Sequence, residues 1–135
     1  MPFGSNLDVL QNLAAAFEEQ GIAALDRFFD PEIEWHEDPS FPESGVYRGI
    51  DAVTAYSRQF LGEFSEIHYE VLDAIERDDR VVANLKIHGV GRASGVPFEL
   101  SAWWAAVLRG GKLIRCFAYL DRRRALEAVG LADAH

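Results

Sequence analysis

Hydrophobic residues recur at helical spacing in three segments of the first half of the chain, at 7–20, 22–29 and 50–64. Spacings of three and four residues place such side chains on one face of a helix. Gly21 offers a C-terminal stop for the first helix, and Asp30-Pro31 breaks the second. The buried stripe of the third helix is predicted to consist of Val53, Tyr56, Phe60 and Phe64.

Period-two alternation of polar and apolar residues first occurs at 32–37 and dominates the chain from Ser65 onward. This period predicts strands, because a strand places alternate side chains on opposite faces. A loop is expected at 40–49, and Asp121 can cap a final helix that runs to Val129. After the third helix, the predicted strands are 65–76, 81–88, 98–108 and 112–120.

The predicted helices are separated from a run of strands that hairpins connect. This order is typical of α+β domains with an antiparallel sheet. A chain of 135 residues is expected to form one domain, 1–135, with a substantial hydrophobic core.

The charge of the chain bears on its partners and location. Thirteen basic and 22 acidic residues give a formal net charge of −9, which repels nucleic acid and anionic lipid surfaces. No apolar run approaches the roughly 20 residues of a membrane-spanning helix. Residues 1–10 lack the basic start of a signal peptide, and the single Cys116 excludes an internal disulfide. We therefore expect a cytoplasmic protein with neither nucleic acid nor membrane as partner.

The candidate chemistry lies at 35–39, where a short strand stops at Pro39. Alternate residues of a strand share a face, so His36 and Asp38 are expected to place an imidazole beside an acid. The alternative is that Asp38 only opens a turn with Pro39 and that His36 is a half-buried edge residue. Beyond His36, Glu37 and Asp38, no residues have the spacing of metal ligands, and no glycine-rich phosphate loop is visible. Neither a metal nor a cofactor is predicted.

Four segments, taken in order, resemble the nuclear transport factor 2-like superfamily, especially its SnoaL-like members. They are Ile33-Glu34-Trp35-His36-Glu37-Asp38-Pro39, Tyr47-Arg48-Gly49, Gly111-Lys112-Leu113-Ile114 and Phe117-Ala118-Tyr119-Leu120-Asp121. The resemblance implies a cone-shaped, cystatin-like α+β barrel, in which a curved antiparallel sheet wraps around N-terminal helices and leaves one deep apolar cavity. It implies no single activity, because ketosteroid isomerases, polyketide cyclases, epoxide hydrolases, dehydratases and non-enzymatic domains share this fold.

Asp38 and its neighbours look like the segment that carries the proton-abstracting aspartate of the ketosteroid isomerases. The resemblance thus implies Asp38 as general base. We expect His36, on the same face of the strand, to hold Asp38 by a hydrogen bond or to act as the complementary acid near neutral pH. The oxyanion donors of those enzymes are not reproduced. Ala14 and Phe17 stand where a tyrosine is expected, and Trp104 stands where a protonated acid is expected. The indole N–H of Trp104 is the donor that remains.

Alternation also predicts what each face of the sheet contacts. The even-numbered residues of 98–108 are wholly apolar and should line the cavity, and the resemblance points the last strand's Cys116 inward. The predicted substrate-binding residues are Trp35, Tyr56, Phe60, Trp104, Cys116 and Leu120.

On the other face, Trp103, Phe117 and Tyr119 form an apolar patch. A partner subunit in a homodimer would cover it, and the alternative is coverage by a loop or the C-terminal helix. Asp121 matches the pocket aspartate of SnoaL-like cyclases or is simply a helix cap.

Two functions stay open. One is an isomerase, cyclase or lyase such as a hydratase, which uses Asp38 for proton transfer on a small apolar molecule. The other is a non-catalytic domain that binds a hydrophobic metabolite or only dimerises.

Overall fold

A computed structural model describes residues 6–41 and 45–131 of the chain. The helices are α1 (Asn6–Gln20), α2 (Leu25–Phe28), α3 (Ile50–Leu61) and α4 (Arg122–Ala128), with a 3-10 turn at Gly21–Ala24. The strands are β1 (Phe29–Glu37), β2 (Gly45–Arg48), β3 (Phe64–Arg77), β4 (Arg80–Gly91), β5 (Pro97–Arg109) and β6 (Lys112–Tyr119). None of the described helices is both long and apolar enough to cross a membrane.

The strands form one curved sheet in the order β2-β1-β6-β5-β4-β3. The α+β class with N-terminal helices and a curved sheet is confirmed, and the four strands after α3 lie close to their predicted positions. One pairing differs from an all-antiparallel sheet, since β1 and β6 run parallel. Helix α3 connects β2 to β3, which are the two edge strands of the sheet, and β1 lies between β2 and the last strand, β6.

Three boundaries in the first half were predicted wrongly. The second helix is only a 3-10 turn followed by the single turn of α2, and β1 begins at Phe29. Pro31 is tolerated there because the β1–β6 register is irregular between Phe29 and Glu34, where no ladder bond needs its missing N–H. Within the predicted loop 40–49, β2 pairs Tyr47 with Trp35. The third helix ends at Leu61, and Phe64 opens β3 instead of extending the helix.

Hydrophobic cores lie on both faces of the sheet. The larger core fills the inner face, between the sheet and α1, α2 and α3. Its buried members include Leu10, Leu13, Leu25, Ile33, Trp35, Val53, Val81, Ala83, Leu108, Leu113, Cys116 and Ala118.

The smaller core lies on the outer face, under α4, and contains the predicted apolar patch. Trp103, Phe117 and Tyr119 are half-buried there against a cluster that includes Leu126 of α4. The guanidinium of Arg122 lies 5.5 Å from the centre of the Trp103 ring. The C-terminal helix therefore covers part of this patch within one chain, which was the alternative to a partner subunit.

Asp121 acts as the N-cap of α4. Its carboxylate accepts a hydrogen bond of 2.8 Å from the backbone N–H of Arg123. The helix-cap interpretation of Asp121 is thus confirmed, and α4 is anchored at its first turn.

Bulges in β3 help to curve the sheet around the inner core. The register with β4 shifts between Phe64 and Glu66 and again between Val71 and Asp73. Beside the first bulge, β4 approaches so closely that a Cβ on Gly89 would clash with the backbone oxygen of Glu66. Gly89 is therefore required by this close approach of two backbones.

We expect Gly89→Ala to lower the free energy of unfolding by about 1–3 kcal/mol, because the backbone must move to admit the methyl group. Urea denaturation followed by circular dichroism measures this loss. Gly91→Ala is the matched control on the same strand, since its Cβ would meet the side-chain oxygen of Ser94, which can rotate away. Equal losses in the two variants would contradict the argument.

Candidate active site

A cavity of about 440 Å³ lies between the inner face of the sheet and helices α1 and α3. This volume is within the ~300–1,000 Å³ that is usual for small-molecule sites. Its lining is dominated by aromatic rings, with few polar groups. The aromatic lining residues are Phe17, Phe29, Trp35, Phe41, Tyr56, Phe60, Phe64, Tyr69, Phe98, Trp104 and Tyr119.

Most of the predicted substrate-binding residues lie on this cavity. Trp35, Tyr56, Phe60, Trp104 and Leu120 all line it. Cys116 does not belong to the lining and is buried behind it, with 1% of its surface exposed.

Glu37 is the acidic side chain that β1 directs into the cavity. Alternation along β1 buries Ile33 and Trp35 on the inner face, and Glu37 follows two residues later on the same face. Its Oε2 accepts a hydrogen bond of 2.6 Å from the Tyr56 hydroxyl. The indole Nε1–H of Trp35 donates to the same oxygen over 3.0 Å. A carboxyl group is thereby held in a fixed orientation inside an aromatic cavity.

The environment of Glu37 destabilises its charged form relative to that of an exposed glutamate. Burial raises the pKa of Glu37 above its ordinary value, although hydrogen bonds from Tyr56, Trp35 and the backbone of Asp38 act in the opposite direction. The cause is desolvation, since an apolar cavity solvates a carboxylate poorly.

Aromatic packing fixes the two donors that hold Glu37. The Tyr56 ring stacks on Tyr47 of β2, with centroids 4.1 Å apart and planes inclined by 18°. The Trp35 ring meets Trp104 edge-on at 5.0 Å. Such contacts restrict the rotamers of both donors, so the carboxyl group needs little reorganisation to stay bound.

Asp38 lies outside the cavity lining, and its carboxylate links two backbone segments by hydrogen bonds. Its Oδ1 accepts hydrogen bonds from the backbone N–H and the hydroxyl of Ser40, at 2.8 and 2.7 Å. Its Oδ2 accepts one from the backbone N–H of Leu120 at 2.9 Å. The carboxylate therefore joins the turn after β1 to the segment after β6.

Asp38 differs from Glu37 in the direction of its pKa. Burial alone would raise the pKa of Asp38, but the hydrogen bonds from Ser40 and Leu120, with the charge of Arg124, hold it below its ordinary value. The ionised form is therefore strongly favoured, and both of its oxygens are already occupied by donors.

His36 lies on the outer face of the sheet. Its Nε2 is 2.6 Å from Oε1 of Glu34, and its ring stacks on Phe117 at 4.3 Å. Because Asp38 binds Ser40 and Leu120 instead, the structure does not bring His36 and Asp38 into one site.

Sequence reasoning overlooked Glu37, although the signal was present. Once Trp35 is placed in the cavity, the period of a strand puts Glu37 there and His36 on the opposite face.

Within residues 6–41 and 45–131, no group of three or more His, Cys, Asp or Glu side chains is arranged to hold a metal ion.

The structure is thus an α+β domain whose curved sheet encloses an aromatic cavity. Comparison with known proteins identifies its family. The family model described as SnoaL-like domain matches residues 10–116, so the chain belongs to the SnoaL-like family. A search of curated proteins finds no significant match. The resemblance seen in the sequence is thereby confirmed.

Three solved structures share the fold of this chain. A nuclear transport factor 2-like protein of unknown function from Burkholderia pseudomallei has a TM-score of 0.77 and 17% identity, over 98% of this chain and 100% of that one. TerC, co-crystallised with polyporic acid, has a TM-score of 0.75 and 17% identity, over 96% of this chain and 98% of TerC. A protein with a ketosteroid isomerase-like fold from Catenulispora acidiphila, in complex with trimethylamine, has a TM-score of 0.73 and 17% identity. The match covers 94% of this chain and 96% of that one. At this identity the likeness shows the fold alone.

We expect Asp38→Asn to lower the free energy of unfolding at neutral pH by about 1–3 kcal/mol, because one amide group cannot accept all the hydrogen bonds that the carboxylate accepts. The folded-state pKa of Asp38 is lowered, so its contribution is present above about pH 4 and is lost as the pH falls through the folded-state value. Urea denaturation should therefore show that the difference in the free energy of unfolding between variant and wild type is smaller at about pH 3 than at about pH 7.

Asp121→Asn is the matched control for this prediction, since asparagine is as good an N-cap as aspartate. It removes a carboxylate from the same end of β6 without breaking the link to Ser40. An Asp38→Asn variant as stable as this control at neutral pH would contradict the structural role of Asp38.

Proposed function

We propose that this SnoaL-like domain binds an apolar cyclic carbonyl compound in its cavity and moves a proton on it, with Glu37 as the acid–base group. The observation that carries the proposal is the Glu37 carboxyl group, held by Tyr56 and Trp35 inside an aromatic cavity. A half-buried carboxyl in an apolar cavity, with no ion pair to any of the described residues, costs free energy of folding, and such a cost is typical of functional sites.

The chemical step is a proton transfer next to the carbonyl group. The C–H bond of the α carbon breaks, its electron pair moves into the carbonyl group to give an enolate, and Glu37 takes the proton. Return of the proton to the same carbon restores the ketone, and return to a conjugated carbon isomerises it. Neither route needs an oxidant, a reductant or another co-reactant.

The two oxygens of Glu37 suit different parts of this step. Both side-chain donors, Tyr56 and Trp35, reach Oε2. Within the described residues, Oε1 receives no side-chain hydrogen bond, so we assign the transferred proton to Oε1. The raised pKa of Glu37 makes the carboxylate a stronger base than an exposed glutamate and brings its pKa closer to working pH.

Glu37 replaces Asp38 and His36 as the proposed catalytic residue. The Asp38 carboxylate has a lowered pKa and donors on both oxygens, which makes it a weaker base. His36 is paired with Glu34 on the outer face, away from the cavity. A role for Asp38 in catalysis is therefore an outcome that the experiment below must exclude.

The second candidate function is binding of a hydrophobic metabolite without turnover. TerC, which shares this fold, was co-crystallised with polyporic acid, which supports the idea that such a cavity can hold a small organic molecule. This function requires the same cavity but does not require Glu37 to change its protonation state.

We expect the protein to accelerate exchange of the α protons of 2-tetralone in D₂O, followed by proton NMR. Glu37→Gln should reduce the catalysed rate by about 100-fold or more, since an amide cannot take the proton. Asp38→Asn, assayed where it is still folded, should keep most of the rate. Loss of exchange in Asp38→Asn with retention in Glu37→Gln would reassign the base to Asp38.

The same Glu37→Gln variant has a control in its stability. A raised folded-state pKa means that the favourable contribution of neutral Glu37 is present below its unfolded-state pKa and is lost as the pH rises through the folded-state value. The variant should therefore melt at a higher temperature than wild type at about pH 8, and the difference should shrink towards about pH 4. An exchange-deficient variant that melts lower at pH 8 would indicate a damaged cavity.

We also propose a cytoplasmic homodimer through the outer face of the sheet, as the sequence predicts. Support comes from the incomplete burial of Trp103, Phe117 and Tyr119, which α4 covers only in part. The single Cys116 agrees with a reducing compartment.

Light scattering at micromolar concentration should give twice the mass of the chain, and Phe117→Ala should shift the mass towards the monomer by removing buried apolar area. Phe41→Ala, which removes an equal side chain from the cavity lining, is the matched control. A monomeric wild type would overturn the dimer and leave the cavity proposal intact.

A further inference from the structure

The cavity contains hydrogen-bond donors that Glu37 does not use. Tyr56 and Trp35 are committed to its Oε2. Within the part of the chain that the structure describes, neither the hydroxyl of Tyr69 nor the indole N–H of Trp104 makes a side-chain hydrogen bond, and both residues line the cavity. No buried side-chain N or O atom there lacks a partner, so these donors have accessible surface.

Tyr69 is the better placed of the two. It lies on β3, and its ring is fixed by an edge-on contact with Phe17 of α1 at 5.5 Å and a tilted contact with Trp104 at 5.6 Å. Rings from two elements therefore hold the phenol in place before any ligand binds. A donor fixed in this way loses little entropy when it forms a hydrogen bond.

The electrostatics keep Tyr69 in its donating form. Burial, and to a smaller extent the charge of Glu37, raise the pKa of the Tyr69 hydroxyl. The hydroxyl consequently stays protonated across the physiological range and offers its hydrogen to an acceptor. Tyr69 and Glu37 both line the same cavity.

We propose that Tyr69 donates a hydrogen bond to the oxygen of the bound molecule, so that the cavity selects flat, apolar compounds with a carbonyl oxygen. Aromatic walls bind the ring system, Tyr69 holds the oxygen, and the adjacent carbon is presented to Glu37. The inference rests on the proposed function for the role of Glu37, whereas the recognition of the oxygen by Tyr69 is a statement about binding alone.

The selectivity follows from the cost of an unused donor. When a ligand fills the cavity and displaces solvent, a donor without a matching acceptor stays unpaired, so the site disfavours an analogue that lacks the oxygen. Trp104 contributes differently, since its ring packs edge-on against Trp35 and forms a wall of the cavity. Loss of that ring should weaken any apolar ligand, whether or not it carries oxygen.

The test compares two probes of the same ring framework, 2-tetralone and tetralin, which differ by the carbonyl oxygen. Calorimetric or NMR titration of the wild type should show tighter binding of 2-tetralone. Tyr69→Phe, which removes only the hydroxyl, should weaken 2-tetralone by about tenfold and leave tetralin unchanged or slightly tighter. Unchanged tetralin binding also shows that the variant cavity is intact.

Trp104→Phe is the control variant and should weaken both probes to a similar degree. Equal binding of the two probes by the wild type, or unchanged 2-tetralone binding in Tyr69→Phe, would overturn the role of Tyr69. If Trp104→Phe weakened 2-tetralone but not tetralin, the indole N–H would be the donor, and the role of Tyr69 would again be overturned.

The binding test and the proton-exchange test fail independently. A Tyr69-dependent preference for 2-tetralone, without Glu37-dependent exchange, supports the oxygen donor and overturns only the proposed reaction. Glu37-dependent exchange with no effect of Tyr69→Phe on binding supports the reaction and overturns the donor.

Discussion

The constraint on which this site depends is the burial of the Glu37 carboxyl group among aromatic rings. An apolar cavity disfavours the charged form, and the Tyr56 and Trp35 donors offset only part of that cost, so the pKa of Glu37 stays raised. Both donors must be held in place for this compensation to work. The stacking of Tyr47 on Tyr56 and the edge-on contact of Trp104 with Trp35 thus connect β2, α3 and β5 to one carboxyl group on β1.

Adjacent carboxyl groups on one strand end acquire opposite properties from their surroundings. Glu37 lies in the cavity with both side-chain donors on one oxygen, and its pKa is raised. Asp38 accepts backbone and hydroxyl donors on both oxygens, and its ionised form is favoured. A group poised to change its protonation suits chemistry, whereas a group locked in one state suits structure. The backbone link made by Asp38 also keeps the end of β1, and hence Glu37, in position.

The predictable part of the fold was the part with strong periodicity. The long strands β3 to β6 and helix α1 show regular alternation or helical spacing and lie where the sequence predicts. The short elements β2 and α2 were not predictable, because four residues give too little pattern and their formation depends on pairing with β1 and packing on the core. The site shows the same limit. The family resemblance pointed to Asp38. The alternation of side chains along β1 instead places Glu37, the residue before Asp38, on the inner face with Trp35.

The two faces of the sheet now have separate physical tasks. On the inner face, polar groups are few, and each one present in an apolar surround has a large effect on what can bind. On the outer face, Glu34 interacts with His36, Arg48 and Arg115 in a partly exposed ionic cluster, where solvent screening makes each pair weak. Backbone hydrogen bonds between neighbouring strands hold the sheet together, whichever side chains line the cavity. A fold of this kind can therefore change its ligand by changing a few inward-facing residues, which in this chain include Glu37 and Tyr69.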